Sequence, residues 1–95
     1  MRIKKTMKKT FEFSFEDLSE NNGISYEIDS GSKLSYEVYN GQHIIYLNKN
    51  GALALSKMLA QIGVGDYEDG FHLHLHENFD DEKPEVLTVI LDSTL

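Results

Sequence analysis

Residues 34–63 read LSYEVYNGQHIIYLNKNGALALSKMLAQIG, and the period of the apolar residues changes within them. Leu34, Tyr36 and Val38 alternate with Ser35, Glu37 and Tyr39, the period of a half-buried strand. Asn40-Gly41 follows, and both residues tolerate the positive φ that a two-residue type I′ hairpin turn demands. That turn sets a register: Tyr39 opposite Gln42, Val38 opposite His43, Tyr36 opposite Ile45. Cross-strand partners share a face. Ile45 and Leu47 thus join Leu34 and Tyr36, with His43 beside Val38, while Ile44 and Tyr46 lie on the other face with Glu37 and Ser35. The second strand of this hairpin is apolar on both sides. Beyond it, Leu55, Met58, Leu59 and Ile62 follow i, i+3, i+4, i+7, with Ala52 one turn earlier. That is the buried stripe of an amphipathic helix. Asn48 or Asn50 is placed to cap its start and Gly63 to end it in a left-handed turn.

Working outward toward the N-terminus, Ile24, Tyr26 and Ile28 alternate with Ser25, Glu27 and Asp29, and Phe11, Phe13 and Phe15 alternate with Glu12, Ser14 and Glu16. Both stretches predict strands. Residues 1–9 are either a basic extension or the beginning of the first strand, and "MKKTFEFSF" from Met7 reads equally well as a chain start. On the C-terminal side, FHLHLHE and EVLTVILD flank NFDDEKP, two strands joined by a long acidic loop. Leu87, Val89 and Leu91 share one face of the last strand, and Val86, Thr88 and Ile90 the other. No repeat or second domain interrupts the chain. The expectation is one α+β domain over residues 1–95. It has a mainly antiparallel sheet of about six strands and one helix packed on one face, in the order β-β-β-β-α-β-β.

With 95 residues and 40% hydrophobic residues, the chain suits one small core. It has no cysteine, so disulfides play no part in its stability. Its net charge is −7 and is unevenly spread. Arg2, Lys4, Lys5, Lys8 and Lys9 crowd the first ten residues, whereas residues 11–95 hold four basic and sixteen acidic side chains. A body this acidic repels nucleic acid and anionic membrane and attracts a basic protein. The basic start lacks the apolar stretch of a secretion signal, because FEFSFEDLSE follows, and no apolar run approaches a membrane span. The expectation is a cytoplasmic protein.

Three of the four histidines alternate with leucine in the strand from Phe71. His72, His74 and His76 therefore face one way, and Phe71, Leu73 and Leu75 face the core. Two histidines at i, i+2 can share a zinc ion, so His72 and His74 are weak metal-ligand candidates, with Asp66, Asp69 or Asp80 as a third ligand. Three in a row along one strand cannot all reach one ion, since the outer positions are roughly 13 Å apart. There is no nucleophile motif, phosphate-binding glycine loop or paired-glutamate helix, and the reading is of a protein that is not an enzyme. The plainest role for the histidine row is a polar strand face, exposed or covered by a partner.

The second half of the chain resembles a family of predicted immunity proteins of bacterial polymorphic-toxin systems. The resemblance rests on Asn48-Lys49-Asn50-Gly51 opening a leucine-rich helix through Leu53, Leu55, Leu59 and Ile62, on Gly70-Phe71-His72-Leu73-His74-Leu75, and on the apolar strand Val86–Leu91. It covers residues 43–92. His76 stands where that family has an acid, and residues before 40 match only as generic strands. The resemblance implies a protein that neutralises a cognate toxin, and it implies no catalytic residue or cofactor.

The functional expectation is a non-enzymatic, immunity-type binder of a basic toxin domain, with no nucleic-acid or membrane partner. The expected contact residues are His72, His74, His76, Asp80, Asp81 and Glu82. The alternatives are a small His-x-His zinc domain and an accessory domain that homodimerises through Ile44, Tyr46, Val86 and Ile90.

Overall fold

The computed structural model of the protein describes residues 6–25 and 28–95. Strands β1 (Leu34–Tyr39) and β2 (Gln42–Leu47) form one antiparallel hairpin, helix α1 spans Lys49–Val64, and strands β3 (His72–His76) and β4 (Glu85–Ile90) form a second hairpin. Short 3-10 turns cover Ser19–Asn21 and Glu77–Phe79.

The first hairpin has the register set by Asn40-Gly41: Tyr39 faces Gln42, Val38 faces His43 and Tyr36 faces Ile45. Both turn residues have positive φ, 49° and 78°, as a type I′ turn requires. The second hairpin pairs Leu73 with Val89 and Leu75 with Leu87, which puts the leucines inward and His72 and His74 opposite Ile90 and Thr88. The core is small. Leu34, Met58, Ile62, Leu73 and Leu75 pack together at its centre, with Ile24, Ile28, Leu55, Phe71, Leu87 and Val89 half-buried around them. Leu34 is 0% exposed, and burial of such a side chain contributes about 1.5–3 kcal/mol.

The expected six-stranded sheet does not form. The described strands make two separate two-stranded sheets, in the order β-β-α-β-β. Residues 6–18 hold no strand, and neither do Ile24, Ser25 and Ile28. The parts of those two expected strands at residues 1–5, Tyr26 and Glu27 lie outside the described residues. At the second expected strand and at the start of β1, side-chain amides occupy backbone groups that a neighbouring strand would need. Gln61 accepts from Ser25 N–H through Oε1 at 2.9 Å and donates through Nε2 to the Ser25 carbonyl. At the other end, Leu34 N–H donates to Asn78 Oδ1 at 3.1 Å, so β1 meets a side chain there instead of β4.

Of the two expected caps, Asn48 and Asn50, the helix uses Asn48, and Asn50 lies within its first turn. Asn48 Oδ1 accepts from Gly51 N–H at 2.8 Å and from Lys33 N–H at 3.0 Å, while Asn48 Nδ2 donates to the Gly31 carbonyl at 2.6 Å. Its buried line runs through Gly51, Ala54, Met58, Gln61 and Ile62. Relative to the expected stripe, Met58 and Ile62 are buried and Leu55 is half-buried, but Leu59 and Ala52 are exposed. Two contacts rotate the helix. Gly51 presses against the Lys33 carbonyl, where a Cβ would come within 2.2 Å, and Gln61 turns inward to Ser25. The helix also passes through Gly63 to Val64 and ends at Gly65 in extended backbone, with Gly65 N–H donating to the Gln61 carbonyl at 2.8 Å.

Two substitutions at glycine therefore have opposite outcomes. Gly51→Ala destabilises the fold by about 1–3 kcal/mol, because the Cβ displaces backbone. Gly63→Ala, with open space around its Cβ, stabilises it by about 0.5–1 kcal/mol. Urea titration of both variants checks the pair. Gln61→Leu keeps the volume but strands both Ser25 backbone groups. It costs about 1–3 kcal/mol and accelerates hydrogen exchange at the Ser25 amide. Wild-type exchange at that amide in the variant would refute the clasp.

Candidate functional site

The histidine row lies where its period places it. His72 and His74 are exposed on the outer side of β3, with ring centroids 6.0 Å apart, and His76 is half-buried at the strand end. Their hydrogen bonds fix ring orientation. His74 Nδ1 lies 2.6 Å from Glu85 Oε1, and His76 Nδ1 lies 2.7 Å from the Lys83 carbonyl. A carboxylate and a carbonyl only accept, so both Nδ1 atoms donate, and in the neutral imidazole each Nε2 is the acceptor. Thr88 Oγ1 donates to the same Glu85 oxygen at 2.6 Å. These two donors, the Thr88 hydroxyl first and His74 next, hold the Glu85 carboxyl below its usual 4.5.

This orientation resembles that of metal-bound histidines, whose second nitrogen donates to a carboxylate or carbonyl. Among the described residues, however, no three His, Asp or Glu side chains converge on a point where an ion could sit. His74, His76 and Asp81 do line one small cavity of about 20 Å³. His43 is exposed and engaged with the Tyr36 hydroxyl, because β1 and β2 run on past the core at that end.

The acidic loop divides its expected residues. Asp80 is half-buried and structural: its Oδ1 accepts from Glu82 N–H at 3.0 Å and its carbonyl from Lys83 N–H at 2.8 Å, closing the turn. Asp81 and Glu82 are exposed. The turn before them is strained. Asn78 and Phe79 both have left-handed φ, 55° and 57°, and Phe79 has no side-chain chemistry suited to it. The half-buried Phe79 packs on the core and Asn78 bonds Leu34, which together hold the conformation. Of the four residues expected to support a homodimer, Tyr46 and Ile90 are exposed, whereas Ile44 and Val86 are half-buried. The shift in pairing between Leu75 and His76 leaves Val86 without a partner residue on β3, and it packs on the core.

A second acidic surface was not legible in the sequence. Asp17, Ser19, Glu20 and Asn22 from one segment meet Asp66 and Glu68 from another around a cleft of about 490 Å³. A neighbouring cleft of about 390 Å³ shares Asn22 and Glu68 and continues through Asp69, Gly70 and Phe71 to His72. Among the described residues, no lysine or arginine lines either. Asp17 joins the two segments. Its Oδ1 accepts from Ser19 N–H and its Oδ2 from Asp66 N–H, both at 3.0 Å, and these bonds, led by those from Ser19, hold its carboxyl below the usual range. Tyr67 also ties the two segments together, its hydroxyl donating to the Gly23 carbonyl at 2.5 Å, and desolvation followed by the Asp17 charge pushes that hydroxyl up. The carboxylates of Glu20, Asp66 and Glu68 are left exposed. Sequence separation hid this surface, since Asp17 and Asp66 are 49 positions apart.

No protein-family model, curated protein or solved structure matches the chain. Among the described residues no helix is long and apolar enough to cross a membrane.

The Glu85 cluster gives the second hairpin an acid sensitivity. A carboxyl whose folded pKa lies below its unfolded value binds fewer protons when folded, so its contribution is complete above 4.5 and lost as pH falls through the folded value. Glu85→Gln flattens the stability–pH curve below 4.5, and Thr88→Val, which removes the leading donor, does so partly. Thermal melts across that range check both. A Glu85→Gln curve parallel to wild type would overturn the assignment.

Proposed function

We propose that the chain is a non-enzymatic, cytoplasmic immunity-type protein that binds and neutralises a basic toxin domain. The observation that carries this reading is the continuous acidic band. It starts at Glu20, Asp66 and Glu68, passes Asp69 to His72, and follows the stacked His72–His74 pair toward His76 and Asp81. Carboxylates from the segments around Asp17 and Asp66 and from the β3–β4 loop thus lie along one path. Toxin domains that act on nucleic acid present basic surfaces, and an aligned row of carboxylates competes for such a surface by charge. The histidines add flat, hydrogen-bonding area between the carboxylates. With Nδ1 of His74 and His76 already engaged, their Nε2 atoms are left to accept from a partner's lysine or arginine.

The resemblance of residues 43–92 to predicted immunity proteins supports the same class, and the structure gives its Asn48–Gly51 piece a role in holding the fold. If the neighbouring gene encodes a toxin domain, binding to that domain is the direct test. Affinity falls as salt rises, because the contacts are exposed and screened. Glu20→Gln with Glu68→Gln slows association by about tenfold and leaves dissociation nearly unchanged, as expected for charges at the rim of an interface. Salt-independent affinity, or a double variant that associates at the wild-type rate, would remove the charge-based part of the reading.

A further inference from the structure

Two strand-like features of the chain have no partner among the described residues. The first is the outer edge of β2. In a two-residue hairpin the pair flanking the turn is hydrogen-bonded, and bonded and non-bonded pairs then alternate. Tyr39–Gln42, Glu37–Ile44 and Ser35–Tyr46 are therefore the bonded pairs, and the backbone groups of His43, Ile45 and Leu47 point away from β1. The same rule turns the Leu34 backbone outward on β1, where the structure shows it bonded to Asn78. No described backbone group meets the outward groups of His43, Ile45 or Leu47. Edges are usually blunted by charge, proline or a bulge, and Gln42–Leu47 has none of these. Beside this edge, on the same face, Val38 and Ile45 are 56% and 44% exposed and Leu47 is exposed as well.

The second feature is the segment from Met7 to Phe15. Phe11, Phe13 and Phe15 stack on one side with ring centroids 5.9 and 5.7 Å apart, which is the arrangement of extended, period-two backbone. None of the three belongs to the core cluster, Phe11 is 49% exposed, and the segment pairs with no described strand. It is a strand in side-chain pattern without a sheet to join.

We propose that the free edge of β2 takes residues 7–15 of a second copy of this chain as an added strand, reciprocally between the two copies. Added-strand recognition uses main-chain hydrogen bonds for affinity and alternate side chains for fit. The outward groups of His43, Ile45 and Leu47 supply the bonds, and the phenylalanine row lies beside Ile45 and Leu47 on the same face. Charge favours a copy of the same chain as the occupant. Lys8 and Lys9 outweigh Glu12 on the arm, which meets a body in which residues 16–95 hold fifteen acidic and four basic side chains. The receiving strand itself carries no charged residue that would repel its own copy.

Sedimentation of the full chain over a wide concentration range tests this, together with two full-length variants. Ile45→Pro removes an outward N–H while Gln42, Ile44 and Tyr46 keep their bonds to β1, so the edge is blocked and the hairpin retained. Ile45→Lys serves in its place if the proline variant melts early. Phe11→Glu with Phe13→Glu disables the arm, which lies outside the core. The wild type sediments as a dimer, each variant as a monomer, and an equimolar mixture of edge and arm variants recovers a species of twice the chain mass through the one intact arm and the one intact edge. A wild type that stays monomeric leaves the edge to some other protein and overturns the proposal. So does either variant remaining dimeric, or a mixture that stays monomeric.

Discussion

The side chain of Asn48 fixes the relation between the first hairpin and the helix, and the rest of the structure is arranged around it. One carboxamide caps α1 at Gly51, holds Lys33 N–H and binds the Gly31 carbonyl. These bonds force the 31–33 segment against the first turn of the helix, so closely that only glycine fits at position 51. Leu34, the next residue, is thereby delivered into the centre of the core, fully buried. Its own N–H is taken by Asn78 from the second hairpin. Two asparagines thus bind consecutive backbone amides and connect both hairpins to the helix. Gln61 does the same for Ser25 on the far side of the helix.

Holding a fold with carboxamides has a consequence for its surface. Each amide that bonds a would-be strand residue ends sheet growth at that point, which is why two hairpins form where one sheet was expected. A single sheet would pair both edges of β2 and join the N-terminal segment to it. Split into two, the structure buries six hydrophobic side chains among the described residues and leaves Val38, Tyr39, Ile45, Tyr46 and Leu47 exposed along one hairpin. A two-stranded sheet in water has little stability of its own. The first hairpin relies on its Asn40-Gly41 turn, on the Tyr46 hydroxyl donating to Glu37 at 2.5 Å, and on the Asn48 junction at its base.

What could be read from the sequence was local. The type I′ turn fixed a six-pair register through the positive φ of two residues, and the alternation in FHLHLHE separated core from surface because the period of a strand is strict. The Asn48 cap was equally legible. Pairing between distant segments was not. Phe11, Phe13 and Phe15 have a strand's alternation, but alternation reports an extended backbone and one apolar side, not a neighbour. The helix stripe was misplaced by a polar residue, since no hydrophobic count assigns Gln61 to the interior at 1% exposure. Of the expected contact residues, the faces of His72 and His74 and the exposure of Asp81 and Glu82 came from period and composition. The turn duty of Asp80 and the meeting of Asp17 with Asp66 depend on loop geometry that residue type does not encode.

The acidic band and the β2 edge share no residue, and this bears on how the chain could use both. The band is built from residues 17–22, 66–72 and the β3–β4 hairpin, and the edge from His43, Ile45 and Leu47. Their chemistries differ too. Carboxylates act over a Debye length and speed an encounter, while an uncharged strand edge acts only at hydrogen-bond distance and fixes geometry. Surplus negative charge also keeps two copies from meeting through the band, since like charges in apposition cost free energy at any interface. The uncharged edge is the place on this surface where that repulsion is weakest. Association of copies there would leave both bands open to a basic partner.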